Sequence, residues 1–192
     1  RRQRQMCIRD SLDCVDQTAR PVLLDSQAPA LLVIHSGVSH ALAEGAYAQR
    51  RAECEQVNAL LGVNTLRDVS RDQLAQLKDE GVLHQRATHV VSENERVRDA
   101  VTAIEQGCWD RLGALMTGSH RSLRDDYEVS CRELDLLVEL ATVERGVYGA
   151  RMTGGGFGGC VIALVETDQF EGVADRIRGQ YNDRMGWAPG CY

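Results

Sequence analysis

The sequence is poor in the features that mark several large protein classes. No apolar run approaches the roughly 20 residues that a membrane helix needs, although 43% of the 192 residues are hydrophobic. The first residues show no signal-peptide pattern. Aromatic residues make up only 5% of the chain, and the net charge is −6 with a pI near 5.4. An acidic, aromatic-poor chain lacks the electrostatic footprint of a general nucleic-acid binder. Cysteines stand at 7, 14, 54, 108, 131, 160 and 191, and no two are spaced Cys-x-x-Cys. An odd number without paired spacing argues against a disulfide frame and a zinc site, and for reduced thiols in a cytosolic protein. The histidines at 35, 40, 84, 89 and 120 show no metal-ligand spacing and read as polar surface or core residues. No internal repeat or low-complexity linker divides the chain, and 26% charged residues fit an ordinary globular protein.

The opening residues differ in charge from the rest of the chain. Residues 1–11, RRQRQMCIRDS, hold four arginines and one aspartate. Without them the chain has 18 basic and 27 acidic residues, a net charge of −9. MCIRDS resembles the translation of a sequencing-library adapter. Residues 1–11 are therefore expected to be non-native, and residues 12–192 are treated as one unit.

What is present is a clear alternation of elements. ALLVIHSG, residues 30–37, is a short apolar run ended by Ser-Gly and predicts a strand. Tyr47, Ala48, Arg51, Ala52, Cys54 and Glu55 support a helix ending near Gly62. Ser70 and Gln73 have capping-box spacing. From about Val82 to Val143 the pattern is helical, with Val90, Val97, Val101 and Ile104 on one stripe and Cys131, Leu134, Val138 and Ala141 on another. Gly107 is expected to end the first stretch and Gly118 to interrupt the middle one. A strand reaching about Met152, a second from Cys160 to Val165 and a helix carrying Phe170, Val173, Ile177 and Tyr181 come next. WAPGCY reads as the entry to another strand. Strands near both ends with helices between them predict an α+β fold, an antiparallel or mixed sheet covered by helices.

The densest signal is MTGGGFGGC, residues 152–160, where five of the six residues from Gly154 to Gly159 are glycine. Each glycine in a regular element costs ~0.5–1 kcal/mol relative to alanine. Gly154, Gly156 and Gly159 match G-x-G-x-x-G, but a dinucleotide fingerprint must open a helix, and here the strand-like CVIALV comes after it. No Gly-Lys-Ser/Thr follows, so a P-loop fails too. A plain hairpin turn normally needs one or two glycines. Successive bare amides can cradle an anion or let another phosphate-binding loop lie against the backbone. Cys160 follows the glycines as a nucleophile might, yet it opens an apolar strand with no histidine placed to activate it, so packing is the better reading.

YGARMTGGGFGGCVIALV resembles the third motif of the GHMP small-molecule kinases, in their galactokinase branch. EGAYAQRRAECE, RATHVVSENERV, SHRSLRDDYEVSC and ELDLLVELA match that branch in the same order. The first of these separates galactokinases from the mevalonate and homoserine kinase branches. The resemblance runs from about Leu12 to Tyr192 and implies a fold like the ferredoxin-like C-terminal half of GHMP kinases. It implies transfer of the ATP γ-phosphate to the anomeric hydroxyl of galactose, with Mg²⁺, in the cytoplasm. It puts Thr153, Gly154, Gly155, Gly156, Gly158 and Gly159 beside the nucleotide phosphates, and it matches Tyr47 to the tyrosine that contacts the sugar. Partners are galactose and ATP, with neither nucleic acid nor membrane.

Three departures qualify what the resemblance implies. Galactokinases have a sugar-recognition segment with Arg, Glu, His and Asp, and a serine-rich phosphate loop; neither is found here. They also have a catalytic aspartate followed by glutamine. Asp16-Gln17 has that form, but LDC, residues 12–14, aligns better with the family's Ile-Asp-Cys strand downstream of that aspartate. Asp16 then falls on a turn or strand edge, and no catalytic residue is assigned. Arg50 and Arg51 read as a solvated or ion-paired helix face, and Asp125-Asp126 as a solvated helix end. The chain is thus expected to be the C-terminal half of a galactokinase, truncated at both ends and inactive alone. A sensor that binds sugar and ATP without turnover, or a kinase of a related sugar, would share these motifs.

Overall fold

The computed structural model describes residues 8–13, 17–23, 28–39 and 43–192. β1 (Ile8–Asp13) and β2 (Thr18–Leu23) form an antiparallel hairpin, with Ile8 opposite Leu23 and Asp13 opposite Thr18. The boundary at residue 11 drawn from composition falls inside β1. Cys14 and Asp16 lie outside the described residues.

The main sheet is built from four strands. β3 (Ala30–Ser39), β4 (Val147–Thr153), β5 (Gly158–Val165) and β6 (Gly190–Cys191) are ordered β4-β5-β3-β6, every neighbouring pair antiparallel. WAPGCY does enter a strand: β6 pairs with β3, and the Tyr192 and Val33 amides and carbonyls exchange bonds of 2.8 and 2.9 Å. Among the described residues the α-helices are α1 (Ala43–Leu61), α2 (Arg71–Ala75), α3 (Val82–Glu105), α4 (Trp109–Asp125), α5 (Arg132–Val143) and α6 (Phe170–Met185).

Strand alternation gives the sheet two faces. Leu32, Ile34, Ala150, Met152, Val161, Ala163 and Val165 point one way and bury against Leu134, Leu137 and Val138 of α5 and Val173, Ile177 and Tyr181 of α6. Ile162, Leu164 and Tyr148 point the other way, onto Ala103, Leu112 and Met116 of α3 and α4. A separate helical core joins Val57, Leu66, Val69, Leu77, Ala87 and Val91. The expected α+β architecture is the one observed, and Ser70 and Gln73 make the reciprocal capping box that opens α2.

One glycine behaves differently from expectation. Gly107, with φ 65°, follows the end of α3 as predicted, but Gly118 lies inside an unbroken α4. A mid-helix glycine costs only about 1 kcal/mol, and α4 is held by its packing on β4. The packing is unusually close: a Cβ on Gly113 would lie 2.0 Å from the Tyr148 carbonyl oxygen, and one on Gly149 would lie 2.0 Å from the Gly113 oxygen. Helix and strand touch backbone to backbone because neither residue has a side chain. This contact fixes β4, and with it the glycine run at its end.

Candidate functional site

The glycine run is the β4–β5 hairpin loop. Thr153 is the last residue of β4 and pairs with Cys160, while Gly158 opens β5 opposite Ser39. Its backbone lies largely in the left-handed region, with φ of 90° at Gly154, 89° at Gly156, 58° at Phe157, 124° at Gly158 and 92° at Gly159. The glycines serve different ends. A Cβ on Gly156 would stand 2.2 Å from the Val129 carbonyl oxygen, so the backbone must be bare there. Next to it, the Phe157 amide donates to that same oxygen at 2.8 Å. Around Gly154, Gly155 and Gly159 a Cβ would meet nothing within 4 Å, and Gly155 has no positive φ. Neither packing nor conformation within the chain therefore requires glycine at 155. The amides of Gly155 and Gly156 take no bond among the described residues, which leaves them to donate to something else.

Val129 belongs to a turn between α4 and α5 that is itself tightly held. Arg86 is 2% exposed, and it donates from Nε to Glu53 (2.7 Å), from Nη1 to the Asp126 carbonyl (2.5 Å) and from Nη2 to Glu128 (2.6 Å). Arg50, also buried, donates from Nε to the Tyr127 carbonyl at 2.6 Å and from Nη2 to the Glu128 carbonyl at 3.3 Å, and it pairs with Glu53 at 3.0 Å. Burial raises the Glu53 carboxyl, but the bonds from Arg86 and Gln49 and the charge of Arg50 outweigh it and hold Glu53 below the usual carboxylate range. Glu128 has φ 52°, a conformation rare for a residue with a side chain.

Two buried histidines brace the same region. His89 stacks on Tyr127 with ring centroids 4.5 Å apart. The Ser122 hydroxyl donates to Asp126 at 2.7 Å and so accepts from His89 Nδ1 at 3.0 Å, which puts the ring proton on Nδ1. Burial pushes His89 down to about 4, so it is neutral near pH 7. His120 Nδ1 accepts from the Met152 amide at 3.3 Å, one residue before Thr153. Its Nε2 lies 3.2 Å from Asp135, at hydrogen-bond distance but off hydrogen-bond angle. Burial works against the Asp135 charge, yet His120 and Ser130 hold that carboxyl below its ordinary value.

The sequence candidates divide accordingly. Tyr47 is 66% exposed on α1, one turn before Arg50. The turn Asp126–Val129 ties that helix to the loop, because Arg50 bonds its carbonyls from one side and Phe157 from the other. Arg50 and Arg51 read in sequence as a solvated or ion-paired face; both are ion-paired, but Arg50 is buried, and only Arg51 is exposed, on Glu55 at 2.9 Å. Asp125 pairs with Arg124 at 2.7 Å and Asp126 accepts from Ser122. Among the described residues no cluster of three or more His, Cys, Asp or Glu side chains fits a metal ion, so Mg²⁺ is assigned to no residue here. Sequence reading missed Glu53, Arg86, His89 and Glu128 as a constellation. A signal was present: Arg86, His89, Glu93 and Arg96 recur at helical spacing along one face of α3.

Residues 100–183 match the family described as GHMP kinases C terminal. The crystal structure of Lactococcus lactis galactokinase complexed with galactose superposes with a TM-score of 0.89 and 33% identity, covering 97% of this chain and 50% of that one. The crystal structure of L. major mevalonate kinase in complex with R-mevalonate shares the fold at a TM-score of 0.62 and 20% identity, covering 96% of this chain and 47% of that one. Residues 100–183 thus carry a GHMP kinase C-terminal region, and the chain is similar to that class over most of its length. Within the class its similarity is to galactokinases: 45% identity over 153 residues to that of Thermotoga neapolitana and 44% over 174 residues to that of Homo sapiens. These alignments cover 80% and 88% of this chain but 43% and 44% of the relatives, so the chain spans less than half the length of the curated relatives it matches.

The stability of the loop should divide along the same lines as its glycines. Gly156→Ala is expected to cost about 2–3 kcal/mol in urea unfolding, from a blocked backbone contact and a left-handed φ, whereas Gly155→Ala stays within about 0.5 kcal/mol. Equal costs would contradict the division of the loop. The pH dependence has a defined sign. The folded pKa of His89, about 4, lies below its unfolded value near 6.5. The unfolded chain binds more protons between those values, so the stability His89 contributes is fully present above about 6.5 and is lost as pH falls toward 4. His89→Gln should flatten the unfolding free energy over that window; an unchanged slope would refute this.

Proposed function

We propose that this chain is the C-terminal half of a kinase that transfers the γ-phosphoryl group of ATP to the anomeric hydroxyl of galactose, giving galactose 1-phosphate in the cytoplasm. The observation that carries the reading is the loop in which Gly156 is bare because Val129 touches it, and Gly155 is bare with nothing beside it. A position without an internal reason for glycine is where an external group fits closely. Phosphoryl transfer depends on positioning and on neutralising developing charge, with little covalent work for the protein. The unpaired Gly155 and Gly156 amides suit phosphate oxygens, and the exposed Tyr47 suits the sugar. Similarity to galactokinases, one solved with galactose bound, supports the substrate. The free thiols Cys54, Cys108, Cys131, Cys160 and Cys191 support a reducing compartment, and no helix among the described residues is long and apolar enough to cross a membrane. ATP would bring Mg²⁺ as its counter-ion, which neutralises phosphate charge when bound.

The test joins this chain to the upstream residues of the Thermotoga neapolitana galactokinase and follows ADP release. Release that depends on galactose is expected. Gly155→Val should lower kcat at least tenfold without moving Tm, and Tyr47→Ala should raise KM for galactose. A folded joined protein that releases no ADP with galactose, or one indifferent to Gly155→Val, would contradict the reading.

A further inference from the structure

Four successive carbonyls, Asp126 to Val129, point outward from the α4–α5 turn, and each is taken. Arg86 takes Asp126, Arg50 takes Tyr127 and Glu128, and the Phe157 amide of the glycine loop takes Val129. Asp126 caps the C-terminus of α4, where carbonyls lack helical partners and a cation is favoured. Glu128, at φ 52°, is the residue that turns the chain so that Val129 faces the loop. Its side chain is held by Arg86, and Arg86 in turn by Glu53.

We infer that Arg86 is a positioning residue for phosphoryl transfer: with Arg50, Glu53 and Glu128 it sets the turn that fixes the glycine loop relative to the helix bearing Tyr47. The inference rests on the function proposed above. A buried ion cluster is poor evidence for stability alone, since apolar residues of equal volume often serve as well. What apolar residues cannot do is hold three carbonyls in a row at set distances. The guanidinium matters for its shape as much as its charge. Arg86 reaches two carboxylates and one carbonyl at once through a planar fork, and a lysine ammonium on a flexible stem does not reproduce that geometry. The arrangement also explains why the loop needs no partner of its own at Gly154 and Gly155. Among the described residues the bond from Phe157 to Val129, on an already rigid turn, anchors one side of the loop and leaves the other open to a ligand. Positioning of this kind shows in kcat, because small displacements of reacting groups are costly.

Amide exchange of this chain, resolved by residue, tests the structural half. In Arg86→Lys the Phe157 amide should exchange at least tenfold faster, while the Val161 and Ala163 amides of the sheet core stay within twofold. Glu128→Gln, at a half-exposed side chain, should produce the same selective change and decides the matter alone if Arg86→Lys does not fold. Unchanged exchange at Phe157, or an equal rise in the sheet core, overturns the inference. In the joined protein, Arg86→Lys should lower kcat at least tenfold with KM for ATP and galactose within threefold. An unchanged kcat overturns the link to turnover. If the unsubstituted joined protein releases no ADP, the proposed function fails, and exchange at Phe157 still decides whether Arg86 positions the loop.

Discussion

The Val129 carbonyl is the point on which the site depends. It accepts one bond, from Phe157, and it occupies the space that a side chain at residue 156 would need. Without that contact the β4–β5 loop would be a run of glycines with little to define it, and glycine has more conformational freedom to lose than any other residue. With it, one side of the loop is pinned to a turn that two buried arginines hold in place. Of the remaining glycines, Gly154, Gly158 and Gly159 are called for by a left-handed backbone, and Gly155 is bare with no such requirement among the described residues.

The supporting structure is layered. The Gly113–Gly149 contact brings α4 against β4, so the start of the loop and the turn after α4 are both referred to the same helix. His120 bonds the Met152 amide from α4, and His89 braces Ser122 and Tyr127 from α3. Apart from His120 Nε2, the polar side chains named here are satisfied by one another, which makes them specific and leaves each dependent on the rest. The Tyr47 helix is tied to the same turn by Arg50. Tyr47 and the glycine loop, the proposed sugar and phosphate contacts, thus share one rigid reference.

Much of the fold was legible in the sequence because period and punctuation agreed. The apolar stripe of α5, the capping box at Ser70 and the strand after the glycines each followed from local pattern. Gly118 was misread because a glycine's local cost is small beside tertiary packing. The glycine run was legible as a close-approach loop, but its division was not. Which glycine touches backbone depends on Val129, 27 positions earlier, and nothing local marks that pairing. The arginine cluster was hidden for the same reason. Arg50, Arg86 and Glu128 come from three separate segments, and charged residues on amphipathic helices read as solvated faces until the fold brings them together.

A loop anchored at Phe157 and open at Gly154 and Gly155 has a direct signature. The measurement is amide chemical shift in the ¹⁵N-labelled joined protein on addition of ATP. The Gly155 and Gly156 amides should move strongly while the Phe157 amide, already bonded to Val129, stays nearly still. Equal movement at all three, or movement at Phe157 alone, would contradict it.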